Sequence, residues 1–164
     1  MALNALMKIA KADGECLQGG YDKWIEIQSW DWDVEAETSW TKGGGASVGK
    51  PNPGKFNFEH YWDKSSAVIL GYICTGSAFE RINLIMFKAT GSGTPKPFFM
   101  AEMWDAFITK VTQNAAEDGN LVQKVELVFK KIEIRYSIQG GTGVLTPSTH
   151  FEWDIPGGKA SPGA

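Results

Sequence analysis

The sequence predicts a mainly β fold: a two-sheet β-barrel with one flanking α-helix at about residues 64–75 and a long glycine-rich loop. Three observations carry that expectation. Two long strand patterns switch buried parity midway, Ile25 and Ile27 giving way to Trp30, Trp32, Val34 and Ala36, and Val125, Leu127 and Phe129 to Ile132, Ile134, Tyr136 and Ile138. A period-two pattern that changes face has bulged or turned a corner between sheets. Nineteen Gly and 7 Pro in 164 residues mark many turns, which favours short strands over a helical bundle. Finally, residues 63–76 carry a start and a stop for a single helix. The Asp63 carboxylate is placed to accept the N–H of Ser65 or Ser66, and Gly76 ends the run.

The length suits one domain with a real core, here taken as residues 1–164 with a frayed tail from about 156. An apolar fraction of 43% with 21% charged residues is that of a folded globular chain. The net charge of −3 and the lack of a Lys/Arg-rich face give no support for nucleic-acid binding. The longest uncharged stretch, residues 65–79, is too short and polar at its ends for membrane insertion. No basic segment followed by an apolar core opens the chain, so it is expected to be made in the cytoplasm and, if exported, to leave without a cleaved signal peptide. Cys16 and Cys74, without C-x-x-C spacing, read as two unpaired thiols.

In chain order, Leu3, Ala5, Met7 and Ile9 share one parity, so residues 3–10 read as a first strand, followed by a loop through Asp13-Gly14 and Gly19-Gly20. The first bent strand covers residues 25–36. Residues 39–55 carry five Gly and two Pro without a usable period and read as a long loop, a length that in compact domains usually has a function. Phe56, Phe58, His60 and Trp62 alternate with Asn57, Glu59, Tyr61 and Asp63 as a half-buried strand. In the helix that follows, residues 67–74 hold no charge on any side, so one side is expected against a sheet and the other under a further element or another subunit. Residues 82–89 read as a strand, 90–97 as a turn, and 98–112 as a strand with Phe99, Ala101, Met103, Phe107 and Val111 on one face, interrupted by Asp105. The second bent strand covers 121–138, a loop 140–148 and a short strand 151–155.

Motifs that promise chemistry fall short. Gly44-x-x-x-x-Gly49-Lys50 resembles a phosphate loop, but Pro51 stands where the Mg²⁺-holding hydroxyl is needed and blocks the helix that would receive phosphate. Asp31, Asp33, Glu35 and Glu37 form a row on one strand face. A Ca²⁺ site needs ligands converging from turns, so the row reads as a solvated face, with Lys131 and Arg135 as conceivable cross-strand partners. His60 and His150 have no nucleophile or ligand spacing beside them and read as structural or exposed. No catalytic residue, metal or cofactor is therefore expected. Seven tryptophans are many for this length. On a sheet surface they would make a sugar-stacking platform, and buried they are core or interface anchors. Trp40, in the glycine-rich loop, is the best candidate for a contact residue.

Taken in order, the run Trp24-Ile25-Glu26-Ile27-Gln28-Ser29-Trp30-Asp31-Trp32, the Gly-rich loop, Phe56-x-Phe58-x-His60-x-x-Asp63-Lys64-Ser65-Ser66, Cys74-Thr75-Gly76, Val125-x-Leu127-x-Phe129 and Trp153-Asp154 resemble the haemolysin-coregulated protein (Hcp) family, the tube subunit of bacterial type VI secretion systems. The resemblance implies a single Hcp-like β-barrel, six subunits to a ring, and rings stacked into a tube. It also implies a spike protein, a contractile sheath and effector proteins as partners, and secretion to the outside or to a target cell. On that reading Trp40, Gly43, Gly44, Gly45, Val48 and Lys50 serve ring stacking. Lys64, Ser65, Val68, Ile69 and Tyr72 place the helix at the subunit interface, and Asp31, Asp33, Glu35, Lys131, Glu133 and Arg135 are candidates for the lumen. The competing classes are a carbohydrate-binding β-sandwich module using exposed tryptophans and a β-barrel enzyme with an unrecognised site.

Overall fold

The structure is a computed structural model that describes residues 5–41, 44–88 and 95–163, with the side chains of residues 39–41, 44–47 and 162–163 outside the description. Leu3, Gly43 and most of the turn expected at 90–97 lie outside the described residues. Twelve strands and one helix follow one another as β1 (Ala5–Ile9), β2 (Ile25–Ile27), β3 (Ser29–Asp31), β4 (Val34–Thr41), β5 (Gly44–Pro53), β6 (Phe56–Tyr61), α1 (Lys64–Thr75), β7 (Ala78–Lys88), β8 (Lys96–Ala115), β9 (Leu121–Val128), β10 (Lys131–Gln139), β11 (Leu145–Asp154) and β12 (Lys159–Gly163) among the described residues. The fold is mainly β with one helix, as expected.

The ten-stranded sheet runs β12-β11-β10-β8-β7-β1-β2, with β9 on the far end of β8, β6 on β9 and β3 on β6. Twenty-residue β8 joins the two limbs. Its first half pairs with β7 and β10 and its second half with β9. Asp105 makes the joint, with a left-handed φ of 52°. Because of that bulge the buried face changes parity from Ala101 and Met103 to Ala106 and Ile108, and Phe107, expected inside, is 37% exposed. The two limbs fold over one core containing Met7, Ile9, Ile82, Leu84 and Met103 from one side and Phe56, Phe58, Val125 and Leu127 from the other. This is a folded-over sheet rather than a closed barrel.

The first parity switch falls at Gln28, whose N–H donates to the Glu59 carbonyl at 2.8 Å between β2 and β3. The predicted bent strand is thus two short strands, β2 on β1 and β3 on β6. Past it, Val34 and Ala36 are exposed instead of buried, since they have left the core. The second switch falls between β9 and β10, at buried Phe129 and exposed Lys130. Three further expectations are corrected. Residues 39–55 are no loop: β4 and β5 form an antiparallel hairpin from Val34↔Pro53 to Thr41↔Gly44. The last strand begins at Leu145 instead of 151, and the tail is strand β12, paired with β11 from Asp154↔Lys159 outward. Lys131 and Arg135 do not face the Asp31–Glu37 row, because β10 pairs with β8 and β11 while β3 pairs with β6.

The helix starts and stops where the sequence said. Asp63 Oδ1 accepts the Ser65 N–H at 2.8 Å, and Ser66 Oγ accepts the Asp63 N–H at 3.0 Å, forming a capping box. Gly76 closes the helix in the left-handed region, φ 65°. The segment between β1 and β2 covers the outer side of β1 and β7, where Leu6, Cys16, Ile85 and Phe87 pack with Tyr21 and Trp24. It also reaches the helix, since the Lys64 N–H donates to Glu15 Oε2 at 3.3 Å.

Candidate functional site

The surfaces that carry function are set by how each limb disposes its outward residues. On the β3-β6-β9-β8 limb the inward positions Phe56, Phe58, Val125 and Leu127 fill the core, so the alternate positions face out. Strand register aligns them in two rows, Ser29–Glu59–Lys124–Thr112 and Asp31–Asn57–Glu126–Lys110. These side chains line a groove of about 320 Å³ floored by Trp30, Phe58 and Val125. Glu59 meets Lys124 at 3.9 Å and Glu126 meets Lys55 at 3.6 Å. The wall is therefore wet and of mixed charge. Of the predicted lumen residues Asp31 lies in this groove, and Asp33 joins it in the adjoining hollow with Trp32 and Lys55.

Lys131, Glu133 and Arg135 stand on the other limb, facing away from the same core because Ile132 and Ile134 face in. Lys131 pairs with Glu152 at 2.6 Å, and Glu133 accepts from Arg135 at 2.6 Å and lies 2.9 Å from His150 Nε2. Partial burial works to raise the Glu133 pKa, but His150 and Arg135 outweigh it and hold the carboxyl below its ordinary value. Hydrogen bonding to Glu152 holds Lys131 above its own. The structure does not bring the two groups of lumen candidates together. Glu35, on β4, belongs to the hairpin and is exposed.

The hairpin β4–β5 stands apart as a two-stranded sheet. All side chains of residues 34–38 and 48–52 are exposed, Val48 at 72%. Its base is anchored. Trp32 Nε1 donates to the Gly54 carbonyl at 3.2 Å, the Gly54 N–H donates to the Asp33 carbonyl at 2.8 Å, and the Trp32 ring lies against Phe129 and Trp153. Gly44, Gly45, Val48 and Lys50 lie on β5 and Trp40 on β4, while Gly43 falls outside the described residues. The side chain of Trp40 is likewise outside the description.

The helix divides its residues differently from the expectation. Ser65 and Ile69 are wholly buried and Tyr72 stacks on Phe79, with ring centroids 3.9 Å apart. They belong to the subunit's own packing, with Val68 beside them. Lys64 is exposed at the start, and the outward stripe is Ala67, Gly71 and Cys74 with half-buried Leu70 between. The signal for this was present in the spacing 67, 70, 71 and 74, which is one helical face. Reading the helix as apolar all round hid which side was the inner one.

The tryptophans whose side chains are described form no platform. Trp30 is stacked between Phe56 and Phe99, Trp153 is 6% exposed, Trp104 lies between the Arg81 and Lys131 cations, and Trp62 reaches 36% exposure. No group of three metal-ligating side chains forms among the described residues, and no helix there is long and apolar enough to cross a membrane.

A folded-over antiparallel sheet with one capped helix, charged broad faces and a projecting two-stranded arm defines the chain as a β-fold built around surfaces. Comparison with known proteins agrees. The sequence model described as "Type VI secretion system effector, Hcp" matches residues 6–136. Among solved structures, Hcp1 from Salmonella typhimurium is 26% identical with a TM-score of 0.79, over 98% of this chain and 100% of that one. A structure described only as a type six secretion system protein is 19% identical with a TM-score of 0.88 over the same shares. A type VI secretion system effector from Yersinia pestis is 23% identical with a TM-score of 0.69, over 92% of this chain and 99% of that one. No curated protein sequence matches significantly. The chain belongs to the Hcp family of type VI secretion proteins.

Proposed function

We propose that this Hcp chain is a structural tube subunit and not an enzyme: six copies close a ring by a head-to-tail contact repeated around an axis, and rings stack into a tube that carries effector proteins. The observation that carries the reading is the β4–β5 arm. A lone hairpin is marginal in water, and this one extends roughly 25 Å at about 3.3 Å per residue without a core of its own. Docking on an adjacent ring gives it one, through Trp40, Val48, Lys50 and the glycines 43–45. The exposed helical stripe at Ala67, Gly71 and Cys74 faces the neighbour within a ring.

The β3-β6-β9-β8 groove face, with Asp31, is assigned to the lumen. Its mixed charge suits a wall that holds cargo weakly and lets it go, because affinity depends on surplus over desolvation and not on area. Lys131, Glu133 and Arg135 then stand on the outer wall, toward the contractile sheath, and the tube end meets the spike. The protein is made in the cytoplasm and leaves with the tube. Native mass by light scattering after gel filtration, with imaging of the same fraction, tests this. The expected result is rings with an open centre, and deletion of residues 43–49 should abolish stacking while leaving the rings. A monomer at every concentration, with tryptophan fluorescence responding to oligosaccharide, would replace the tube reading with the carbohydrate-binding one.

A further inference from the structure

The side chain of His60, on β6, has no exposed surface and lies between Gln123 of β9 and the start of α1. Its neighbours fix its tautomer. The Ser66 carbonyl can only accept, so the Gln123 atom 3.2 Å from it is the amide nitrogen, which also donates to Gln113 Oε1 at 2.8 Å. That turns Gln123 Oε1 toward His60 Nε2 at 2.7 Å, and an amide oxygen there requires the ring proton on Nε2. Nδ1 is then a bare lone pair, buried and without a hydrogen-bond partner. It faces Asp63 Oδ1 at 4.0 Å. The same Oδ1 accepts the Ser65 N–H and the Ser65 hydroxyl, so one oxygen both caps the helix and confronts the lone pair.

We propose that His60 is a proton-sensitive latch on the first turn of α1: a proton taken from solvent by Nδ1 draws Asp63 Oδ1 into an ion pair and away from the Ser65 N–H. Closing 4.0 Å to a charge-assisted hydrogen bond of about 2.8 Å moves that oxygen by roughly an ångström, as far as the cap can yield and still hold the turn. The charges around the ring are few. Asp63 is the charged group that acts on it, Gln123 on β9 and Gln113 on β8 are neutral, Lys64 is exposed, and Glu15 is occupied with the Lys64 N–H. Burial holds the imidazole below its ordinary value of 6.5, against the pull of Gln123, Asp63 and the Tyr61 backbone. The fold therefore prefers the neutral ring. The contribution is complete above 6.5 and is lost as pH falls below it toward the depressed value.

The test is NMR of the full chain with ¹⁵N-labelled histidine, the second signal being assigned by His150→Asn. At about pH 7.5, well above the ordinary histidine range, His60 is expected to show a protonated Nε2 and a bare Nδ1. On acidification the Ser65 amide shifts with the midpoint of His60, which lies below the ordinary histidine value of 6.5. Asp63→Asn keeps a good cap but removes the charge, and should lower the His60 midpoint further. A proton on Nδ1 at neutral pH, a Ser65 amide that does not follow His60, or an Asp63→Asn midpoint equal to the wild type would each overturn the latch. The tautomer reading needs no variant of the site, so a poorly folded mutant cannot shelter the proposal.

Discussion

Replacing Gly71 by alanine separates the isolated subunit from the assembly. Gly71 is the eighth residue of a twelve-residue helix, with right-handed backbone, and a Cβ built there meets nothing within 4 Å. No contact is lost and none is strained, so only intrinsic terms remain. Alanine is favoured over glycine by about 0.8–1 kcal/mol in a helix interior, partly because the unfolded chain has less freedom to lose. The isolated subunit should gain about 0.5–1 kcal/mol, which for a chain of this size is roughly 1–4 °C in Tm. Urea unfolding of protein dilute enough to scatter light as a monomer measures it. If a neighbour packs on the Ala67, Gly71 and Cys74 stripe, the same methyl must be accommodated across a subunit contact, and ring formation should weaken while the monomer strengthens. A destabilised monomer would refute the open outer face of α1. A stabilised monomer with unchanged rings would refute the placement of the neighbour.

Gly14→Ala should act in the opposite direction on the monomer. Its Cβ would lie 2.7 Å from the Trp24 carbonyl carbon and 2.8 Å from Ile25 Cα, backbone atoms that cannot swing away, so a loss of about 1–3 kcal/mol in urea unfolding is expected. Asp63→Ala removes the capping box and should cost about 1–2 kcal/mol by the same assay, with faster amide exchange at Ser65 and Ser66 than in later turns. Glu133→Gln should flatten the acid limb of the stability curve. The depressed carboxyl contributes fully above its ordinary value of 4.5 and progressively less as pH falls below it, so the variant and the wild type should converge at low pH. Curves that stay parallel would deny the Glu133–His150–Arg135 cluster that role.

What the sequence made legible were features with local causes. Asp63, Ser66 and Gly76 announce the helix because capping depends on residues within four positions. The parity switches at Gln28 and Phe129 announce the corners because side-chain direction alternates strictly along a strand. The arm was missed because five glycines and two prolines in residues 39–55 erase the alternation, while the hairpin forms by pairing across the turn, as at Thr38↔Val48. Phe107 lies outside because a left-handed residue at Asp105 moves the buried parity to Ala106 and Ile108, and a second register shift between Ile108 and Lys110 returns Val111 to the core, a pair of bulges that the period-two pattern does not contain. Strand β12 was read as a frayed tail since Lys159, Ser161 and Pro162 have no apolar face, and its order comes from β11 beside it. The pairing of Lys131 and Arg135 depended on strand order, which period-two patterns do not contain.

Several residues in the segments that resemble the family sit where the chain turns corners. Trp30 wedges between Phe56 and Phe99, Trp32 fastens the base of the arm to Gly54, Asp63 starts the helix, and buried His60 ties that start to Gln123. A TM-score of 0.79 accompanies 26% identity with the Salmonella typhimurium structure, so the fold tolerates wide substitution. An enzyme with so little identity would need a surviving cluster of reactive groups to keep its function. A subunit whose work is its shape needs the corners to survive, with the faces between them free to vary in charge. The outward rows at Asp31–Lys110 and Ser29–Thr112 are not used by the core. Charge reversal on the exposed Asp31, by Asp31→Lys, should leave the subunit's unfolding free energy within about 0.5 kcal/mol of wild type, as for a surface position, and, if this face lines a tube, should change which proteins are retained.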